Sequence, residues 1–207
     1  MLISERHNFL FVHVQKTAGT SLTDILQPYA LNPADTRWHR LASDIGLIRD
    51  WRKRYFRKHA PLRLAESRLP AEFYRQCYKF AFVRNPWDRL ASWYRYVQNT
   101  PSHREHKAGQ NFETFALAFI AKPRRSQWEM LVNRAGKPGL DFIGRFENLQ
   151  EDIRHLCRQF EILMPPLPHH NFSQPQDYRS YYSDALAEAV QLAWQKEIDH
   201  FNYRFDR

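Results

Sequence analysis

Two short apolar runs and one short mixed segment divide the chain, and each has the length of a β-strand. They cover residues 9–14, 78–83 and 141–146. Elsewhere, apolar residues recur every three or four positions, which predicts helices over residues 20–29, 71–77, 86–98, 111–121, 147–160 and 183–199. Strands that alternate with helices predict an α/β fold in which a parallel sheet is flanked by helices on both faces.

The length and composition fit one domain covering residues 1–207. Aromatic residues make up 15% of the chain, which argues against disorder although 26% of the residues are charged. Cys77 and Cys157 stand in apolar contexts, so we expect buried thiols rather than a disulfide. No carboxylate or cysteine lies at ligand spacing from two histidine pairs, so we expect no bound metal at His103 with His106 or His169 with His170.

Charge and hydropathy restrict the partners and the location. No apolar stretch approaches the roughly 20 residues that a membrane-spanning helix needs, and charged residues come too early for a signal peptide. We therefore expect a cytoplasmic protein without a membrane span. The net charge of +9 implies anionic partners such as a nucleotide, a polyanionic acceptor, nucleic acid or a membrane surface. Charge alone does not choose among them.

The first strand leads into a short turn and then a helix, which is the arrangement of an anion-binding loop. Backbone N–H groups at a helix N-terminus point toward a bound anion, and the helix dipole favours negative charge there. The turn adds a lysine, a glycine and hydroxyl groups, in the order Lys16, Thr17, Ala18, Gly19, Thr20 and Ser21. The Walker pattern GxxxxGK[ST] is absent, which argues against an ordinary ATP or GTP enzyme. The alternative interpretation is that this turn only caps the helix.

A second turn repeats this layout after the strand at 78–83. Arg84 ends the strand, Asn85 can cap the next helix, and Pro86 suits its first position. Ser92 follows two helical turns later and faces the same way as Arg84. A guanidinium and a hydroxyl suit one phosphate. If the two strands are neighbours, Lys16 and Arg84 converge on one crevice, and the ligand has two phosphate-like ends.

These motifs resemble a known family. The segment VQKTAGTSL is similar to the 5′-phosphosulfate loop of PAPS-dependent sulfotransferases (PAPS is 3′-phosphoadenosine 5′-phosphosulfate), and FVRNPWDRLASWY is similar to their 3′-phosphate motif. The carbohydrate branch, with heparan sulfate 2-O-sulfotransferases, HNK-1-type carbohydrate sulfotransferases and short bacterial relatives, is the most similar. The resemblance extends through residues 57–60, 142–152, 167–173 and the IDHFNYRF ending. Gln15 departs from the pattern, since the family usually has proline before the lysine.

The resemblance implies a P-loop-like nucleotide-binding sulfotransferase fold, PAPS as donor, its desulfated product PAP, and no metal. Residues 16–21 would hold the 5′-phosphosulfate, while Arg84 and Ser92 would hold the 3′-phosphate. The segment after Pro168, with Asn171 and Ser173, would close over the nucleotide.

Sulfuryl transfer also needs a group that takes the proton of the acceptor hydroxyl. His59 is the candidate, because nearby cations favour its neutral form and its RKHA context resembles the position of the family's catalytic histidine. The alternative for His59 is packing or pairing at the surface, and Glu147 is the second candidate base. Lys16 is expected to neutralise charge on the leaving oxygen. His13 either terminates its strand, which we favour, or contacts the nucleotide.

The acceptor is expected to be a hydroxyl of a carbohydrate or glycoconjugate. The stretch from Arg49 to Arg68 contains eight Lys or Arg residues and only two acidic residues, and the aromatic residues Trp51, Tyr55 and Phe56 are interleaved with them. This stretch could bind an acidic glycan, or it could be a solvated helix face whose aromatic residues belong to the core. Two other functions stay open: a nucleotide-dependent small-molecule kinase and a basic nucleic-acid-binding module, although no signature of the latter is present.

Overall fold

The computed structural model of the chain describes residues 1–122, 125–164 and 177–205. The strands in these residues are β1 (Leu2–Ser4), β2 (Phe9–Val12), β3 (Tyr78–Val83) and β4 (Phe142–Arg145). The helices are α1 (Gly19–Leu26), α2 (Arg37–Asp44), α3 (Leu62–Arg68), α4 (Ala71–Gln76), α5 (Pro86–Gln98), α6 (Phe112–Ile120), α7 (Trp128–Leu131), α8 (Leu149–Gln159), α9 (Asp184–Ala193) and α10 (Gln195–Phe201). None of these helices is long and apolar enough to cross a lipid bilayer.

The strands form one sheet in the order β1-β2-β3-β4. β2 pairs with β3 and β3 pairs with β4 in parallel, which confirms the α/β fold and the neighbouring placement of the two main strands. The sheet is mixed rather than parallel throughout, because β1 adds to its edge in the antiparallel direction. The sequence pattern does not predict β1, which is only three residues long. A tight turn joins it to β2, with Asn8 in the left-handed region at φ 49°.

The described residues divide into two compact units. The first comprises residues 1–83 and 130–164, and the second comprises residues 84–122, 125–129 and 177–205. The chain thus enters each unit twice. The prediction of a single domain over residues 1–207 stays a prediction.

The core of the first unit lies between one face of the sheet and two helices. Phenylalanines from β2 and β3 pack with apolar side chains of α1 and α8 in one buried cluster, which includes Phe9, Phe11, Phe80, Phe82, Leu22, Leu26, Ile153 and Leu156. Burial of such side chains is the main stabilising contribution to a fold of this kind. Gly144 of β4 faces Phe82, and a Cβ atom at this glycine would lie 2.5 Å from Phe82 Cε1. Only glycine fits that strand position.

The second unit is helical and packs around α5. The indole N–H of Trp87 donates to the Ala187 carbonyl over 3.0 Å, and the hydroxyl of Tyr182 donates to the Trp87 carbonyl over 2.8 Å. The predicted final helix over residues 183–199 is wrong in one respect, because it is two helices that meet at Trp194. Neither glycine nor proline breaks it; the Trp194 ring is buried, with the Arg89 guanidinium 4.9 Å from its centre. The break is therefore associated with tertiary packing.

Candidate active site

The loop between β2 and α1 has an unusual backbone. Lys16 and Ala18 both lie in the left-handed region, at φ 66° and 61°. Non-glycine residues adopt this conformation at a cost of roughly 1–2 kcal/mol each, and such costs are concentrated at functional sites. Successive backbone N–H groups in loops of this kind form concavities that bind anions.

The N-terminus of α1 is not capped by the side chain of its N-cap residue. Its N-cap residue is Ala18, which makes no side-chain cap, and its first turn contains no acidic residue. The Thr17 side chain is buried, and its hydroxyl donates to the Val14 carbonyl over 3.0 Å. Thr17 can therefore offer an anion its backbone N–H, while its hydroxyl proton shapes the loop. Thr20 is exposed and Ser21 is buried in the first turn of the helix.

Gly19 is required because His13 packs directly against it. A Cβ atom built at Gly19 would lie 1.7 Å from His13 Nε2, a distance at which one of the two residues must move. His13 is itself buried, and its ring stacks on Phe11 with a centroid separation of 5.7 Å. The first residue after β2 thus fixes where α1 begins.

The same histidine holds His59. Nδ1 of His59 lies 3.0 Å from the backbone carbonyl oxygen of His13, and the two rings meet edge-on with centroids 4.6 Å apart. A carbonyl oxygen only accepts hydrogen bonds, so Nδ1 carries the proton and the lone pair of neutral His59 is on Nε2. His59 therefore has the tautomer of a base that accepts a proton at Nε2.

Both histidines are neutral at ordinary pH. Burial, together with the neighbouring His59, lowers the pKa of His13 to about 2. Burial also lowers the pKa of His59; the hydrogen bond to His13 opposes this effect, and Lys58 adds to it. A neutral imidazole at this position can accept a proton without first losing one.

The second turn is fixed by a buried polar network. The backbone N–H of Arg84 donates to Gln127 Oε1 over 2.9 Å, and Gln127 Nε2 donates to the Arg84 carbonyl over 2.8 Å. Glu197, which is fully buried, accepts hydrogen bonds from the Gln127 backbone and the Ser126 hydroxyl. The network fixes the backbone of Arg84 directly after β3.

Asp88 orients the Arg84 side chain. Nε and Nη2 of the guanidinium donate to the two oxygens of Asp88 at 2.7 and 2.9 Å, one helical turn along α5. The Asn85 side chain accepts from the N–H groups of Trp87 and Asp88, and Pro86 follows it, so the predicted start of α5 is confirmed. Ser92 is half-buried two turns further along the helix.

The remaining predicted residues are either exposed or outside the part of the chain that the structure describes. Glu147 is exposed in a 3-10 turn after β4. Asn171 and Ser173, like His169 and His170, lie outside the described residues. No group of three potential metal ligands occurs in the described ranges.

The aromatic residues of the basic stretch at 49–68 are largely packed. Phe56 is buried, and the Trp51 ring lies 4.5 Å from the ring of Phe73. Both support the interpretation that these aromatic residues belong to the core.

Comparison with known families identifies the class of protein. The chain matches the family model described as the Sulfotransferase family over residues 1–204, nearly its whole length. It therefore belongs to the sulfotransferase family and is an enzyme of sulfuryl transfer. No match was found among curated proteins. Family membership favours neither the kinase nor the nucleic-acid-binding alternative.

Proposed function

We propose that this sulfotransferase moves the sulfuryl group of PAPS to a hydroxyl group of a carbohydrate or glycoconjugate, with His59 as the base. The family in general implies PAPS as donor and PAP as product, and the motifs resemble those of the carbohydrate branch. The observation that carries the proposal is the hydrogen bond from His59 to the His13 carbonyl, beside the loop that leads into α1. The convergence of Lys16 and Arg84 on one nucleotide stays a prediction.

In the proposed reaction the acceptor oxygen attacks the sulfur in line with the bridging oxygen of the donor. A new S–O bond forms, the bond to the 5′-phosphate oxygen breaks, and the acceptor proton passes to Nε2 of His59. Positioning and charge stabilisation supply most of the acceleration in such transfers. Lys16 and the N–H groups at residues 17–21 neutralise the charge that develops on the leaving phosphate.

The two turns have different tasks in this proposal. Residues 16–21 hold the 5′-phosphosulfate, and Arg84 and Ser92 hold the 3′-phosphate, with Asp88 keeping the guanidinium in place. Ser173 remains the proposed contact from the segment that closes over the nucleotide. These assignments follow the motif resemblance, supported by the uncapped start of α1 and the fixed backbone of Arg84.

Nucleotides with and without a 3′-phosphate test this division. We expect Arg84→Ala to weaken binding of PAP strongly and binding of AMP little, because AMP lacks the group that Arg84 holds. Lys16→Ala should weaken both nucleotides. Calorimetric titration gives the four affinities, and equal losses for PAP and AMP in Arg84→Ala would contradict the assignment. Tighter binding of ATP with Mg²⁺ than of PAP would support a kinase instead.

Transfer of label from PAPS to a panel of glycans and small alcohols tests the base. His59→Ala should lower kcat by about a hundred- to ten-thousandfold, while PAP affinity stays near that of the unchanged enzyme. Glu147→Gln is the matched control, since Glu147 was the other candidate, and it should keep its activity. Loss of PAP affinity in His59→Ala would show that His59 supports the nucleotide site rather than proton transfer.

A further inference from the structure

Helix α2 exposes its apolar side chains to solvent. Trp38 is 80% exposed, Leu41 50% and Ile45 61%, and their spacing puts them on one side of the helix and its C-cap. Leu47 is 71% exposed just beyond. Single exposed apolar residues are common, but four together mark an interaction surface. We call Trp38, Leu41, Ile45 and Leu47 the α2 apolar surface.

The opposite side of α2 holds the helix to its own unit through polar contacts. The buried Ser43 hydroxyl accepts from the backbone N–H of Tyr55 over 3.0 Å, and Nε2 of His39 lies 2.6 Å from the Lys53 carbonyl. The helix is thus inverted relative to an ordinary surface helix, whose apolar side faces the core. Its orientation is fixed by specific bonds, so the exposure of the apolar side chains is built in.

The position of Leu47 is equally well defined. Gly46 follows the helix in the left-handed region at φ 77°, and the N–H of Leu47 donates to the Ala42 carbonyl over 2.9 Å. This is the hydrogen-bond pattern of a Schellman motif, which uses glycine at that place. The turn therefore fixes the backbone of Leu47 directly after the helix that carries the other three apolar side chains.

The surrounding segment is strongly basic. Residues 35–58 contain eight Lys or Arg residues and three Asp residues, which gives a formal charge of 8 − 3 = +5. Each Asp is already paired with an arginine: Asp35 with Arg40, Asp44 with Arg57 and Arg68, and Asp50 with Arg52. The acids are thus used internally, while Arg37, Arg49 and Lys53 extend from exposed positions.

We propose that the α2 apolar surface docks on an anionic lipid membrane surface. Protruding Trp, Leu and Ile side chains enter the boundary between headgroups and acyl chains, and clustered cations bind anionic headgroups. The +5 segment supplies the charge that is complementary to such a surface. The inference depends only on the exposed side chains and their charges, so it does not rest on the proposed acceptor or base.

Co-sedimentation of the whole protein with lipid vesicles tests the proposal. The vesicles are phosphatidylcholine alone or phosphatidylcholine mixed with phosphatidylglycerol. We expect binding to the mixed vesicles only, and at least about a tenfold loss of partitioning in the triple variant Trp38→Ser, Leu41→Ser, Ile45→Ser. Leu117→Ser with Leu192→Ser is the matched control, because it removes exposed leucines of the second unit.

The variants should fold normally, because they change exposed side chains, and their melting temperatures check this. Three results would overturn the proposal. The unchanged protein could fail to bind the mixed vesicles, or the triple variant could bind them equally well, which would leave charge alone as the cause. Light scattering could instead detect a dimer that only the triple variant abolishes, without vesicle binding, and the surface would then be a contact between copies.

Discussion

His13 connects the loop between β2 and α1 to the proposed base. Its ring occupies the space in which a Cβ atom of residue 19 would lie, and its carbonyl oxygen accepts the hydrogen bond from His59. It is a positioning residue in this proposal, since it acts on the reaction through two neighbours. His13 also terminates its strand, as the sequence pattern favoured, because it is the first residue after β2.

Gly19→Ala tests the contact between the loop and His13. The added methyl group would collide with the imidazole, so we expect loss of PAP affinity and a lower melting temperature. The double variant His13→Ala, Gly19→Ala removes the collision and should recover part of the PAP affinity lost by Gly19→Ala. If the two changes are instead additive in calorimetric titration, the contact does not control the loop.

The buried histidines predict a loss of stability in acid. The pKa of His13 is lowered to about 2, so the unfolded chain takes up a proton near pH 6.5 that the folded chain does not. The free energy of unfolding is therefore unaffected by His13 above about pH 6.5. Between about pH 6.5 and 2 it decreases as the pH falls, by about 1.4 kcal/mol per pH unit for one proton. Urea unfolding of the protein and of His13→Leu should give pH profiles whose slopes differ by this amount. Parallel profiles would contradict it.

Among the helices, α5 carries the residues that support the proposed 3′-phosphate site. Its first turn contains Asp88, which orients Arg84, and Ser92 follows on the same helix. The Asn85 side chain caps two N–H groups, and its amide also donates to the Arg204 carbonyl over 3.1 Å. The start of this helix therefore determines where the proposed 3′-phosphate ligands lie.

Two helix caps offer a matched comparison. Asn85 caps α5 and Asn111 caps α6 by the same kind of side-chain bond. Replacing either with alanine should cost about 1 kcal/mol of unfolding free energy. Only Asn85→Ala should also weaken the binding of PAP, because α5 carries a proposed nucleotide ligand and α6 carries none. Denaturant unfolding and PAP titration separate the two effects, and equal PAP affinities in both variants would remove α5 from the nucleotide site.

For the whole molecule, the net charge of +9 favours anionic partners. Electrostatic attraction between exposed charges decays over about 10 Å at 0.1 M salt and about 3 Å at 1 M. The arginines between residues 49 and 68 are part of this charge, although Arg52, Arg57 and Arg68 are paired with carboxylates.

Salt therefore distinguishes acidic from neutral acceptors. If the acceptor is an acidic glycan, its KM should rise several-fold between about 0.05 and 0.5 M salt, because screening weakens the attraction between the glycan and the basic protein. A neutral sugar acceptor should show little change in KM under the same conditions. Initial rates with both acceptors at saturating PAPS measure this, and an equal rise for both would indicate that salt acts on the enzyme or on the donor.

Strands and helix starts were predictable where a local sequence signal, such as an apolar run or a capping pair, was strong. The strand at 78–83 follows from a mainly apolar run in which Lys79 is the one charged residue, and the cap of α5 follows from the Asn-Pro pair. The edge strand β1 escaped because three residues are too few for a period to be detected. The break at Trp194 escaped because the local sequence contains no helix breaker.

The candidate site was predictable in its motifs and not in its supports. The pair of Arg84 and Asp88 lies at helical spacing, so the sequence contained the signal for it. Gln127 and Glu197 hold the same turn from distant positions in the chain, and no local pattern marks them. The contact of His13 with Gly19 and the bond from His59 to His13 likewise depend on how the loop folds back.

The sequence by itself determined the alternation of strands and helices, the two strand–turn–helix motifs and the basic charge, because these depend on the identity and order of neighbouring residues. Tertiary structure decided that His59 meets His13, that Glu197 supports Gln127, and that α2 turns its apolar side outward. The physical reason is that hydrogen bonding and burial act between groups close in space. Chain order fixes closeness over only a few residues.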